Sequence, residues 1–444
     1  MVVISRRGLL AFGALGALLP RTTFARGRTP IGGRVSFRLP WSLSSIDPHR
    51  IEDPAAALFG EALFDSLYAR DESGAIVPAL AESDPEPDGS SLRVRLRGGL
   101  KTAKGKAFGT KDAAASIARA RSSGAKGWLA DIPVPKDDGR SLVFATRDAG
   151  RLVRALASPL VAMVPVGFAP EQPDGTGPFK LVTRDDATVF VRNAVAARGP
   201  AYLDEVVVRA APTLKASLLS FESGTDDLGW LGDGLHEPRP GSKKFDVGAV
   251  AWPVLFTGRD ANQWDAPGIA QRLCDEIPQK SLAHLQIGAA WSTEPEQGWG
   301  GPPTSLFVRE DSQWLVELAQ AVAARITRPS HEVTVKPTSA ADLAQRRASR
   351  LFGLALDVVR PLAPGSFGAL VALSTADNPS RAADVVQHPP KLGEMPARTM
   401  TRTLRCGVVG EIRVQGGRTA DVNLATSREG AGFDLGATWR TRKA

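Results

Sequence analysis

The stretch from residue 46 to residue 120 constrains the fold of this chain more than any other. Asp53 is typical of a helix N-cap, and Pro54 of the first position in a helix. The apolar residues that follow recur at three- and four-residue spacing and predict an amphipathic helix. Residues 92–97 alternate between apolar and charged side chains, which predicts a half-buried strand. A second helix is expected to begin at Thr110.

The order of motifs in this stretch resembles the extracellular solute-binding proteins of the peptide/nickel class, family 5. Four motifs carry the resemblance: IDPH at 46–49, LFDSLYARDESGAIVPALAES at 63–83, a DG turn before the alternating strand that ends in LRGGL at 96–100, and AFGTKDAAASIARA at 107–120. Members of that family are the ligand-capturing components of ABC importers. The resemblance therefore implies a binding protein, but it names no ligand.

The resemblance also implies an architecture. We expect an α/β fold of the periplasmic-binding-protein type II class, with two lobes joined by crossover hinge strands and a small domain inserted into lobe 1. The main domain of lobe 1 is expected to comprise residues 30–72, 172–240 and 400–444. The inserted small domain is expected at 73–171, and lobe 2 at 241–399. In such a fold the lobes close over a ligand like a hinged trap.

Local patterns predict individual elements within this plan. The chain has 444 residues, 43% of them hydrophobic, and can bury a large core. Residues 34–39 alternate and predict the first strand of the main sheet. Asp311 is expected to cap a helix with Trp314 on its apolar face. Gly416 and Gly417 are expected to form a turn.

The first 25 residues have the pattern of a twin-arginine signal peptide. Arg6 and Arg7 precede an apolar stretch that is shorter than the roughly 20 residues needed to span a bilayer. A small-x-small site ends at Ala25, and no cysteine lies near it, so we expect a periplasmic protein without a lipid anchor, exported in a folded state. A single membrane anchor is the alternative interpretation.

Several classes of function are not indicated. The net charge of +8 is spread without a long basic run, which argues against nucleic-acid binding. The five histidines lack the spacing of a zinc site, and no nucleophile elbow or phosphate loop occurs. We therefore expect a monomeric non-enzyme without metal or cofactor, whose partners are a ligand and an ABC permease. Whether Cys274 and Cys406 pair or remain buried thiols stays open.

Six residues are candidates for ligand contact. The chain has nine tryptophans and two tyrosines, and tryptophan offers a large stacking surface with one donor. Trp41 precedes the turn at residues 47–48, whereas Trp230 and Trp252 lie near the expected crossover, although core packing is equally compatible with each. The other candidates are the following three residues: His49, Arg360 and Phe367.

Arg360 departs from the family pattern. Peptide-binding relatives carry an aspartate near this position that pairs with the amino terminus of the ligand. A guanidinium cannot accept a hydrogen bond from an ammonium group, but it would bind a carboxylate or phosphate in bidentate fashion. The alternative is a salt bridge to Asp357 or to another acid. The asparagine and arginine of the family's second lobe are also missing, at Phe256-Thr257-Gly258 and at residues 269–272.

These observations lead to two hypotheses of function. The first is a periplasmic substrate-binding component of an ABC importer that captures a small peptide, or a peptide-like or chelate solute, by hinge closure. The second is a non-transport sensor or scaffold of the same fold with a degenerate ligand site, which the missing second-lobe residues motivate. A hydrolase is disfavoured, because no nucleophile and base occur together in a recognisable motif.

Overall fold

The computed structural model describes residues 29–39, 43, 45–211, 214–230, 241–278, 281–282, 285, 287–288 and 298–441. From Ile31 onward these residues form one compact unit. Helices and strands are mixed throughout it, which confirms the predicted α/β class. Within this part of the chain, no helix combines the length and apolar character that crossing a bilayer requires.

The described residues form a main sheet of 12 strands with two halves. The first half has, in spatial order, Phe179–Arg184, Ala187–Arg192, Glu205–Ala210, Arg34–Leu39, Leu228–Trp230 and Glu411–Thr419. The second half has Ser242–Thr257, Leu354–Val359, Thr304–Arg309 and Val333–Thr338. Short strands at Ile287–Gly288 and Cys406–Val408 pair with Glu411–Thr419 and Ser242–Thr257. The first strand, Arg34–Leu39, is as predicted.

The strand Ser242–Thr257, here called the crossover strand, joins the two halves of the sheet. Its first part pairs antiparallel with Glu411–Thr419, and its second part pairs antiparallel with Leu354–Val359. The residues of the second part are buried, including Trp252 and Val254. One continuous strand thus links the segments in which the resemblance places the two lobes.

The helix Pro54–Leu63 forms as predicted. The Asp53 carboxylate accepts a hydrogen bond from the Ala56 amide at 3.0 Å, and proline occupies the first turn, where its missing N–H costs no hydrogen bond. Leu58 and Phe59 are almost fully buried against the main sheet. The helix therefore presents one fixed face to the core.

Residues 79–165 build a smaller region around a four-stranded sheet. Its strands are Glu86–Asp88, Ser91–Arg95, Ser141–Phe144 and Lys136–Asp137. Its helices are Thr110–Ser122 and Ala149–Leu156, with a 3-10 turn at Pro159–Val161. Nearby, Tyr68–Arg70 pairs with Ile76–Pro78.

The remaining helices pack mainly on the second half of the main sheet. They are Leu214–Glu222, Ile269–Asp275, Gln313–Ile326, Ala340–Ser349, Gly365–Asp377, Pro379–Gln387 and Ala397–Met400, with 3-10 turns at Arg259–Trp264 and Thr401–Thr403. Val422–Asn423 pairs with Trp439–Arg440. Cys274 and Cys406 are free, buried thiols.

Two local predictions were wrong. The helix Gln313–Ile326 is capped by Ser312 and not by Asp311, because the Ser312 hydroxyl accepts from the Leu315 amide at 3.4 Å. The two glycines predicted as a turn lie inside the strand Glu411–Thr419. A Cβ on Gly416 would stand 1.9 Å from the carbonyl oxygen of Gly229, so glycine permits two strands to approach there.

The smaller region packs tightly on helices of the second half of the sheet. The Trp128 and Phe367 rings lie 5.9 Å apart, and a Cβ on Gly127 would stand 2.4 Å from that of Ala382. These residues belong to one buried cluster that draws on both segments. The division of the chain at residues 73, 172, 241 and 400 remains a prediction.

Candidate functional site

A cavity of about 300 Å³ lies beside the helix Pro54–Leu63. Its wall includes that helix, the turn after it, and a C-terminal segment at residues 427–437. Val250 of the crossover strand, Arg360 and Pro361 also line it, together with residues around 159–162, Pro178 and residues 198–202. Val250, Arg360 and Pro361 are the part of the wall that falls in the segment predicted as lobe 2. The cavity therefore adjoins both predicted lobes, and we call it the junction cavity.

The wall of the junction cavity carries charges of both signs. Its carboxyl groups belong to Glu61, Asp65, Glu429 and Asp434. Its guanidinium groups belong to Arg70, Arg198, Arg360 and Arg428. A small polar ligand with separate positive and negative groups could find partners for both on such a wall.

Glu61 is an acid of the wall whose pKa is strongly raised. Its carboxylate accepts a hydrogen bond from the Ser427 hydroxyl. Burial raises the pKa of Glu61 to about 8; the Ser427 hydrogen bond and Arg198 oppose this change, and the carboxyls of Asp434 and Glu429 add to it. At neutral pH the side chain therefore holds a proton, unless a cation replaces it.

Glu429 is a second acidic residue of the cavity wall, and its charge acts on Glu61. Its carboxylate accepts a hydrogen bond from the Arg70 amide, and the Arg70 Nε lies 3.6 Å away. Burial raises the pKa of Glu429, whereas these two contacts lower it. Arg70 also donates to the Gly74 carbonyl oxygen at 3.0 Å, so its guanidinium has partners on two sides.

Asp65 is a third acidic residue of the cavity wall. It is 5% exposed, and its carboxylate accepts from the Thr176 hydroxyl at 2.7 Å. Burial raises the pKa of Asp65, against the opposing Thr176 hydrogen bond and the charge of Arg198. Asp65 thereby ties the turn after the helix to the loop of Thr176.

Arg360 lies at the cavity wall but is only 2% exposed. Its Nε donates to the Arg50 carbonyl oxygen at 3.1 Å, and a terminal nitrogen donates to the Pro48 carbonyl oxygen. Its backbone amide donates to the Ile51 carbonyl oxygen at 3.0 Å. Burial lowers the pKa of Arg360 to about 10, which leaves it charged at neutral pH. The guanidinium of Arg360 thus donates to backbone carbonyl oxygens. The sequence analysis had instead suggested a ligand or an acidic side chain as its partner.

Asp357, which the sequence analysis gave as an alternative partner of Arg360, forms its ion pair with a different arginine. Asp357 is buried and accepts from Arg347 at 3.0 Å, and Arg309 lies 3.9 Å from it. The Arg347 guanidinium also stacks 4.1 Å from the centre of the Phe256 ring. It lies 3.4 Å from Glu52, so these charges join segments predicted to belong to different lobes.

His49 is fully buried in the turn near Arg360. Its Nε2 lies 2.7 Å from the Ala162 carbonyl oxygen, and its Nδ1 lies 2.8 Å from a terminal nitrogen of Arg119. Burial lowers the pKa of His49 to about 4. Arg119 also pairs with Asp47 at 2.7 Å, so the imidazole stands in a hydrogen-bonded turn. A ligand contact by His49 stays a prediction.

The aromatic candidates are dispersed. Trp252 is 7% exposed in the crossover strand, opposite Val359, and Phe367 is partly buried against Trp128. Trp41 lies outside the described residues, and of Trp230 the structure describes the backbone strand alone. Of the six predicted contacts, Arg360 is placed at the junction cavity.

The sequence analysis missed Glu61 and Glu429. Glu61 follows Leu58 by three positions on the helix Pro54–Leu63, so it borders the apolar face, and that placement was a usable signal. Glu429 lies in a polar, glycine-containing segment without a recognisable motif. The two acids meet only because the chain returns to the first half of the sheet near its end.

Comparison with known proteins agrees with this architecture. Residues 75–240 match the model of the bacterial extracellular solute-binding proteins, family 5 Middle. No curated protein matches the sequence.

Three solved structures illustrate the similarity in fold. AppA, the oligopeptide-binding protein from Bacillus subtilis in complex with a nonapeptide, has a TM-score of 0.68 and 13% identity, covering 94% of this chain and 100% of AppA. DppA from Helicobacter pylori, an ABC transporter-associated periplasmic binding protein in complex with peptide STSA, has a TM-score of 0.65 and 16% identity, covering 93% and 99%. NikA from Staphylococcus aureus, in complex with Ni(L-His)2, has a TM-score of 0.60 and 16% identity, covering 92% and 100%.

The fold of this chain is thus the type II periplasmic-binding-protein fold that the sequence predicted. The family model matches the middle of the chain, and the similarity in fold extends over nearly all of it. The match of residues 75–240 to the family 5 model thus agrees with the resemblance that the sequence motifs carry.

Proposed function

We propose that this protein is the periplasmic substrate-binding component of an ABC importer, and that it captures a small peptide, or a peptide-like or chelate solute, by hinge closure. The observation that carries the proposal is the junction cavity, whose wall combines residues of both predicted lobes with charges of both signs. A hinge that moves the lobes would open and close such a cavity.

The crossover strand supports the hinge in this proposal. It is a single strand that pairs with Glu411–Thr419 at one end and with Leu354–Val359 at the other. Its register shifts between Asp246 and Ala251, at the position where it leaves its first partner. A register shift is a place where a strand bends, which suits a hinge between the two halves.

The size of the cavity favours a small solute. Ligand sites commonly occupy roughly 300–1,000 Å³, and the junction cavity lies at the lower limit. The related AppA structure contains a nonapeptide, whereas the DppA structure contains the peptide STSA. We infer that this chain takes a ligand closer in size to the shorter of these, or smaller.

The remaining parts of the proposal rest on the sequence. Export would use the twin-arginine signal at residues 1–25, which lies outside the described residues. The partner would be an inner-membrane ABC permease, and the binding protein would act as a monomer without a lipid anchor.

Two observations favour the second hypothesis, a non-transport sensor or scaffold of the same fold. The Arg360 guanidinium is engaged by the carbonyl oxygens of Pro48 and Arg50, and Trp128 and Phe367 pack together between the smaller region and the second half of the sheet. A protein held in this form without ligand would signal or bind a partner and would not cycle between open and closed states.

Thermal-shift and titration calorimetry experiments on the mature chain distinguish the two hypotheses. The ligands are di- to tetrapeptides, and nickel with L-histidine as the chelate. The importer hypothesis predicts a raised melting temperature with at least one of them, because a ligand that binds only the native state stabilises it. A melting temperature unchanged by every ligand, with no heat of binding, favours the sensor or scaffold.

A further inference from the structure

Three carboxyl groups lie together at the end of the junction cavity near Glu61. Glu61, Glu429 and Asp434 all belong to the wall, and the latter two act on the pKa of the first. The Arg70 Nε lies 3.6 Å from Glu429, and the same guanidinium donates to the Gly74 carbonyl oxygen. Arg198 also acts on the pKa of Glu61 and Glu429, and Arg428 of the same wall pairs with Glu72. Among the described residues, Glu429 is the one of these three carboxyls that has a guanidinium within ion-pair distance.

Glu61 itself lacks a cationic partner within the described residues. Its hydrogen bond comes from the neutral Ser427 hydroxyl, and no lysine or arginine in this part of the chain forms an ion pair with it. The charge of Arg198 lowers the pKa of Glu61, but the Arg198 side chain is exposed. A carboxyl group that is desolvated and unpaired gains strongly from the arrival of a cation, because the charge of the cation replaces the lost hydration.

The positive part of the wall is separate. The carboxylates that raise the pKa of Arg360 belong to Asp53, Asp47 and Glu52. None of these three residues lines the cavity. Glu61 and Arg360 thus have different neighbours and occupy different parts of the wall. The Arg360 guanidinium is engaged by backbone carbonyls, so the carboxyls near Glu61 are the charged groups of the wall that a cationic ligand group would contact.

We propose that the junction cavity binds the ammonium or guanidinium group of a ligand of amino-acid to dipeptide size, with Glu61 and Glu429 as its acceptors. This inference rests on the proposed binding function and specifies its ligand. It also places the recognition of the ligand's amine on the helix Pro54–Leu63 and on the C-terminal segment of the predicted first lobe.

Titration calorimetry with matched probes tests this assignment. The probes are alanyl-alanine, alanyl-leucine and alanyl-phenylalanine, their N-acetylated counterparts, and agmatine. We expect at least one free-amine probe to bind, and its N-acetylated counterpart to bind about tenfold to a hundredfold more weakly, because acetylation removes the charge-assisted hydrogen bonds. Equal affinity of both forms, or no binding by any free-amine probe, overturns the assignment.

Glu61→Gln is the decisive variant. It keeps an oxygen that can accept from Ser427 but removes the negative charge, so the free-amine probe should bind about tenfold more weakly or worse. Glu332→Gln is the matched control, because Glu332 is exposed and lies outside the cavity wall. We expect it to bind like the wild type. Wild-type affinity in Glu61→Gln overturns the assignment.

Two controls separate this inference from the proposed function. The melting temperature of Glu61→Gln must equal or exceed that of the wild type, which shows that lost binding is not lost folding. If a ligand without a cationic group is released from the native protein, the binding function stands and the role of Glu61 fails. If neither a probe nor a released ligand is found, both fail.

Discussion

Arg347 lies 3.4 Å from Glu52, in an ion pair that joins the predicted second lobe to a turn of the predicted first lobe. The same guanidinium donates to the buried Asp357 at 3.0 Å. One side chain therefore holds a partly exposed acid and a buried acid at once. This double contact fixes the turn that also receives Arg360.

The two acids should differ in their effect on stability. The Asp357 side chain is 4% exposed and that of Glu52 is 24% exposed. We expect Asp357→Asn to lower the free energy of unfolding by about 3 kcal/mol, because it removes the buried carboxylate that Arg347 and Arg309 face. Glu52→Gln should cost less than about 1 kcal/mol. Urea unfolding measures both, and equal losses would contradict this assignment.

Arg360 is expected to contribute to folding more than to ligand binding. Arg360→Ala removes the donors to the Pro48 and Arg50 carbonyls and leaves a cavity, so it should lower the free energy of unfolding by about 2–4 kcal/mol. Chemical denaturation provides the measurement. Unchanged stability together with lost ligand affinity would instead support the sequence-based hypothesis of an anchor for an acidic group.

Glu61 should make stability fall as pH rises. Its pKa is about 8 in the folded protein against an ordinary value of 4.5, so between these values the folded state binds more protons than the unfolded state. The contribution of Glu61 to stability is therefore greatest below pH 4.5 and decreases up to about pH 8. Asp434, Glu429, Arg198 and Ser427 are the groups that face this carboxyl.

Glu61→Gln isolates that dependence from the other acids. Relative to the wild type, the variant should gain melting temperature at pH 8 and show no gain at pH 5. Scanning calorimetry at the two pH values provides the comparison. A constant difference between variant and wild type would mean that Glu61 titrates as an ordinary exposed glutamate.

His49 should destabilise the protein in acid. Its pKa falls from 6.5 to about 4 on folding, so the unfolded state binds the extra proton between these values. Stability is lost as pH falls through this range. The facing groups are Arg119, Asp47, Arg360 and the Ala162 carbonyl. His49→Gln should flatten the loss between pH 6.5 and 4 in urea unfolding, and an unaltered slope would contradict it.

Local chemistry made the first helix predictable. Asp53, Pro54 and the apolar spacing after them suffice to place Pro54–Leu63, because capping and amphipathic packing act over a few residues. The strand Arg34–Leu39 followed in the same way from its alternation. The family motifs at residues 46–120 then implied a whole fold that no local pattern could provide.

The site depended on contacts that no local pattern reveals. Ser427 donates to Glu61 although the two residues are 366 positions apart in the sequence. No local pattern around either residue predicts this hydrogen bond. Gly416 looked like a turn because glycine often marks one, yet here its missing side chain permits Gly229 to approach. Arg360 looked free for a ligand because arginine is usually exposed, whereas its fold environment buries it.

Native mass spectrometry on the mature chain, purified from its own periplasm and then denatured, tests the binding function most directly. We predict that the native protein carries one discrete small molecule and that denaturation releases a compound with a cationic group. An empty protein, combined with an unchanged melting temperature in the presence of peptides and nickel–histidine, would contradict the importer function.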